Sequence, residues 1–360
     1  MLIYILNYLS IPLYQFFVKN KKWLVLLLSL QMFLILALRA PDLGADLENY
    51  AGGYAYIASL SFGDMLSRLR LVGDAVLTWP YAYDSGYVVL NWLVGATGAD
   101  FHDFLVVVAF LTMLSFGVYI YRYSQQPWLS FCFLVSFEFY SYAFGILRQT
   151  LALAILLFAI PMMEKRQTGR FLLLLFLAFT FHKTAIVFGA LYLLSHLTFN
   201  RQMYLAALGT LGVFLMVGPV VIPWAVKLLL ALAGRSGYLD RVAEESSGTF
   251  VIFLFLIGVC IYLFADFQKI EHSPRENLFL SGFILSIPTC MMGLYNVTFG
   301  RVNELFLVTL VVLIPNILEE YEDRRWTLLG QIGLTVFLFG FMVFLLSGSE
   351  ELVPYRSIFS

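Results

Sequence analysis

The chain of 360 residues is short of charge: Asp, Glu, Lys and Arg together make up 12% of it. A soluble domain carries about a quarter of its residues as charges, so a water-facing globule is excluded. Net charge is −1 and there is no basic tract, which leaves nothing to attract a nucleic acid. Cysteine is scarce too. Cys132, Cys260 and Cys290 stand far apart in apolar runs, without a CxxC or a Cys/His spacing. Neither a disulfide framework nor a metal site is expected, and no cofactor. The first residues lack a basic leader and a small-residue cleavage site, so the first apolar run is expected to stay as a span. No internal repeat is visible, and no paired Gly/Pro-broken segments suggest an inverted-repeat transporter.

What the chain has is apolar length, with 61% of its residues hydrophobic. One helical crossing takes roughly 20 residues. The runs at about 2–18, 23–39, 103–122, 128–144, 147–163, 170–182, 184–198, 203–218, 250–266, 277–294, 302–319 and 326–346 predict an all-α polytopic membrane protein with about 12 transmembrane helices in a single domain. A hairpin is favoured over one long helix at 170–198. Pro219 and Pro223 are expected to end a helix at 218, with Trp224–Ala233 lying amphipathic along the interface. Basic residues cluster in short turns, among them Lys19, Lys21 and Lys22, and Arg324 with Arg325, which places these turns in the cytoplasm. Both termini and the two long polar segments, about 40–102 and 219–249, then lie outside. The first should carry short interfacial helices, because its apolar piece Tyr87–Gly95 is too short to cross.

Four basic groups abut spans on that same outer side: Arg39, Arg148, His182 with Lys183, and Arg301. A cation at the edge of the hydrocarbon is costly, and four on one face suggest a pocket for an anion such as a lipid-carried phosphate. Each has a plainer reading. Arg39 can anchor at the headgroups beside Asp42 or Asp46, Arg148 can pair with Glu138, and Arg301 can pair with Glu304 one helical turn on. His182-Lys183 can be the polar tip of a hairpin. The functional reading gives phosphate to the planar guanidinium groups and a proton to His182, the side chain most readily tuned as a base near neutral pH. Gln149 beside Arg148 can orient a sugar or phosphate oxygen. The segment 40–102 is rich in aromatics, including Tyr50, Tyr83 and Tyr87, and its Asp84 can accept sugar hydroxyls; an interfacial aromatic belt explains the rings equally well. The second outer segment, with Tyr238 and Arg241, reads as a lid or a loop.

In order and spacing these motifs resemble the EpsG-like branch of the Wzy-type polysaccharide polymerases. The matching residues are Arg39 with Gly44-Ala45-Asp46 and Tyr50, then Arg148-Gln149, Phe181-His182 and Arg301. Ala45 stands where Thr or Ser is common, and Lys183 is not expected after the His. The resemblance implies a GT-C-like, metal-independent membrane glycosyltransferase of the bacterial inner membrane. It would join repeat units carried on undecaprenyl pyrophosphate at the periplasmic face, moving the growing glycan en bloc, with a chain-length regulator as partner. Arg148, Arg301 and Arg39 would then hold the pyrophosphate. His182, Asp46 or Glu304 would act as the base, His182 being favoured. Gln149, Lys183, Tyr50, Tyr238 and Arg241 would bind substrate. An O-antigen ligase uses the same donor, and a flippase for the lipid-linked unit would also need a cationic cavity. Polar groups gathered at one edge, and not through the bilayer, favour the polymerase.

Overall fold

The computed structural model describes residues 1–69, 83–232, 249–294, 297–321 and 323–359. Among these there is no strand, only an isolated antiparallel bridge between Arg39 and Ser357. Five helices are long and apolar enough to cross a membrane: Phe101–Tyr123, Leu147–Glu164, Arg201–Gly218, Gly300–Glu319 and Arg324–Ser347. Several shorter apolar helices accompany them. Large apolar side chains such as Phe110, Leu173, Val336 and Phe344 stand exposed on these helices. Such a surface suits lipid and not water, and the chain is a polytopic membrane protein.

The chain forms two compact units, one of residues Met1–Ile186 with Leu328–Ser360 and one of Val187–Thr327. The first holds α1 (Leu2–Phe17), α2 (Lys21–Ala37), α3 (Leu47–Ala58), α4 (Phe62–Arg68), α5 (Ser85–Gly95), α6 (Phe101–Tyr123), α7 (Pro127–Ser136), α8 (Phe139–Gly145), α9 (Leu147–Glu164) and α10 (Thr168–Phe181). Side chains cap some of these helix starts. Asn20 accepts from the backbone N–H groups of Lys22 and Trp23, and Asp100 with Asp103 forms a reciprocal capping box at α6. α2 packs on α6 where Gly117 lets Ser29 approach; a Cβ at Gly117 would lie 2.6 Å from Ser29 Oγ. The run expected at 128–144 is broken at Phe137 and Glu138, the latter left-handed at φ 61°. The run at 170–198 is broken at His182, followed by a 3-10 turn over Lys183–Val187.

The second unit holds α11 (Phe188–Leu194), α12 (Arg201–Leu232), α13 (Thr249–Phe264), α14 (Phe267–His272), α15 (Pro274–Gly293), α16 (Val297–Leu307) and α17 (Leu310–Glu319). Asn277 on α15 fastens the 195–199 turn: its amide donates to Ser195 O and Leu197 O, and its Oδ1 accepts from Phe199 N at 2.9 Å. α18 (Arg324–Ser347) leads back into the first unit. One expectation is corrected here. Pro219 and Pro223 do not stop α12, which continues to Leu232. A proline removes one helical N–H, but in an apolar setting the remaining backbone groups have no better partner than the helix itself.

Candidate active site

Three helix ends in the first unit build the site. α5 begins after Asp84, α10 stops before His182, and Arg148 lies in the first turn of α9. His182 is extended at φ −155°, ψ 123°, while its N–H still donates to Ala178 O at 3.0 Å. Gly86 explains how α5 reaches it. A Cβ there would collide with Thr180 Oγ1 and press on the Phe181 ring, so glycine lets the first turn of α5 lie on the last turn of α10.

A second close approach brings in α3. Gly44, at φ 138°, sits against the Phe144 carbonyl, and a Cβ at Gly145 would strike the backbone of Ala45. The loop of the Gly-Ala-Asp motif is thereby held on the turn that opens α9, and α3 carries Tyr50 to Arg148. A Cβ at Gly53 would strike the ring of Tyr83, so that glycine admits Tyr83 beside Tyr50.

The resulting geometry centres on one carboxylate oxygen. Asp84 Oδ2 lies 3.4 Å from Arg148 Nη1 and 3.9 Å from His182 Nδ1. Arg148 Nε donates to Tyr50 Oη at 3.4 Å, and the guanidinium carbon lies 5.4 Å from the centre of the Tyr83 ring. Tyr83 in turn donates to Asn49 O at 2.7 Å and stacks on Tyr50. The side chains of Arg148, His182 and Asp84 are 27%, 19% and 10% exposed, so the cluster is recessed yet open. Tyr87 is fully buried beside it, and burial lifts its phenol well above the ordinary tyrosine value, so it is a neutral hydroxyl. Asp84 stands at the N-cap of α5 but caps no backbone N–H. Leaving that cap unmade forgoes about 1 kcal/mol, the usual worth of an aspartate there. Its carboxylate is turned to Arg148 and His182 instead.

The other expected site residues lie in different surroundings. Gln149 is buried next to Arg148, and Lys183 is half-buried next to His182. Asp46 is exposed at the N-cap of α3, left-handed at φ 61°. Arg39 is buried, with its guanidinium over the Phe144 ring at 5.3 Å and Nη1 donating to Leu36 O at 3.3 Å. Asp42 pairs with Arg356 at 2.8 Å. Glu138 lines a cavity of about 60 Å³ with Tyr4, Ser136 and Tyr140. Arg301 and Glu304 lie one turn apart on α16 in the second unit, half-buried and buried. Tyr238 and Arg241 lie outside the described residues.

A family model, the EpsG family, matches residues 22–357, nearly the whole chain. The chain belongs to the EpsG family. Members of the EpsG family are Wzy-like polysaccharide polymerases, and a polymerase role follows for this chain. No curated protein and no solved structure matches it. The cluster offers a planar cation able to hold an anion and an imidazole within reach of a carboxylate, with Tyr50 and Tyr83 buried against the guanidinium. Asp84 is the member that sequence reasoning undervalued, as a sugar-hydroxyl acceptor alone. Its partners sit on other helices, so no spacing in the chain announces them.

Proposed function

We propose that this EpsG-family chain transfers a growing undecaprenyl-pyrophosphate-linked glycan en bloc onto a lipid-linked repeat unit, at the periplasmic face of the bacterial inner membrane, from a domain of about twelve crossings. The cluster of Arg148, Asp84 and His182 carries the reading. Pyrophosphate is the leaving group, so negative charge develops on it, and a guanidinium held by Tyr50 and Tyr83 is oriented to receive that charge. His182 takes the proton of the acceptor hydroxyl. Arg301 and Arg39 are further pyrophosphate-binding candidates, and Asp46 and Glu304 alternative bases; their roles rest on the resemblance of motifs. A chain-length regulator is the proposed partner. Guanidinium charge does the work without a metal.

The test is a glycan ladder. A deletion strain is complemented with wild type or with Arg148→Ala, and surface and lipid-linked glycans are resolved on a gel. A single repeat unit on its final lipid, with the ladder lost although the variant is folded and abundant, is the expected result. Long chains accumulating on undecaprenyl pyrophosphate would identify a ligase, and repeat units trapped on the cytoplasmic leaflet a flippase. A ladder produced in wild-type membranes that collapses under EDTA would overturn metal independence.

A further inference from the structure

Asp84 has two cationic or cation-forming neighbours and one oxygen turned to both. Its Oδ2 is 3.4 Å from Arg148 Nη1 and 3.9 Å from His182 Nδ1. A settled charge-assisted hydrogen bond would close to about 2.7–2.9 Å. The other oxygen, Oδ1, takes no hydrogen bond among the described residues, and the α5 cap is left unmade. The carboxylate thus makes a long hydrogen bond to Arg148, at 3.4 Å, with His182 close behind at 3.9 Å.

We infer that Asp84 is a positioning residue that exchanges partners when substrate arrives. This rests on the polymerase reading. In this arrangement Asp84 offsets the charge of Arg148. A polyprenyl diphosphate carries more negative charge than one carboxylate and draws the guanidinium to itself. Asp84 is then left to His182: it accepts the Nδ1 proton and so fixes the tautomer in which Nε2 holds the lone pair. In the transfer, the acceptor hydroxyl oxygen bonds to C1 of the growing chain. The bond from C1 to the diphosphate oxygen breaks, and its electron pair leaves with the diphosphate. The hydroxyl proton passes to His182 Nε2, and Asp84 stabilises the imidazolium. The base is thus completed only when the anion is in place.

The exchange separates binding from turnover. Farnesyl diphosphate is the probe for binding to the full chain in nanodiscs, and elongation of lipid-linked repeats in membranes is the measure of turnover. Asp84→Asn is expected to bind farnesyl diphosphate as tightly as wild type or severalfold tighter, since Arg148 is relieved of its carboxylate. Its turnover is expected to fall on the order of 100-fold, the scale of a lost general base. Asp84→Glu keeps the charge and should recover part of that loss. Weaker binding in Asp84→Asn, matched by an equal loss of turnover, would show that Asp84 merely braces Arg148 and would overturn the exchange. Wild-type turnover in Asp84→Asn would overturn it as well. If Asp84→Asn does not fold, Asp84→Glu decides: unchanged binding with reduced turnover supports the exchange, and parallel change in both defeats it. If the wild-type chain binds the probe but elongates nothing, the polymerase reading fails. The binding gain of Asp84→Asn still tests the competition for Arg148.

Discussion

Arg148 is placed so that shape matters as well as charge. One guanidinium faces Asp84 with Nη1, reaches Tyr50 with Nε and lies over the ring of Tyr83. A lysine ammonium is a compact point charge and cannot make the three contacts together. Arg148→Lys is accordingly expected to keep about a tenth or less of wild-type polymer, although the charge is conserved. Normal ladder length from this variant would mean that a point charge suffices. His182→Ala is expected to lower elongation on the order of 100-fold while the protein stays folded. Most activity surviving would place the base elsewhere, with exposed Asp46 the next to substitute. These two residues were legible before the fold was known because each interrupts an apolar run, and a cation there demands a reason. Asp84 interrupts nothing. It sits among polar neighbours, and its meaning depends on α9 and α10.

At the scale of the helices, the site is set by glycines at crossings. α5 lies tightly on α10 at Gly86, against Thr180 and Phe181. A valine there must push α5 outward, and overpacking of this kind costs about 1–3 kcal/mol. Gly86→Val is expected to lower the melting temperature modestly but to lose elongation almost completely, because Asp84 moves off His182. Gly169, in the first turn of α10, is the matched control: a Cβ there meets nothing within 4 Å. Gly169→Ala should leave both readouts at or slightly above wild type. Equal effects from the two substitutions would break the link between that crossing and the chemistry. Apolar runs foretold helices well, since backbone in lipid has no partner but its own helix. They did not foretell the break at Glu138 or the passage of α12 through two prolines. Those depend on what packs alongside, which hydropathy does not encode.

Across the whole molecule, the first unit is discontinuous in sequence, and its last residues return to its first helices. Tyr4 Oη donates to Leu352 O at 2.9 Å and Tyr355 Oη to Ile35 O at 2.9 Å. Ala40 N donates to Arg356 O at 2.9 Å and Ile358 N to Leu38 O at 3.0 Å. These contacts join residues more than 300 positions apart, so nothing local in the chain points to them. They bear on Arg39, which stays buried among Tyr4, Tyr140, Phe144 and Tyr355. At about 1 kcal/mol net for each hydrogen bond, the four contribute roughly 4 kcal/mol to the first unit, a large share of the stability of an ordinary domain. Truncation after Ser347 is therefore expected to lower the melting temperature clearly in detergent. Tyr355→Phe removes a single hydrogen bond and should cost about a quarter as much. The truncated chain would expose the Arg39 guanidinium, so its residual folded fraction should gain affinity for farnesyl diphosphate if Arg39 can reach a phosphate at all. A melting temperature unmoved by truncation would show that the segment holds nothing. A lowered one without gain in affinity would assign Arg39 to holding the end of α2 and remove it from the proposed pyrophosphate site.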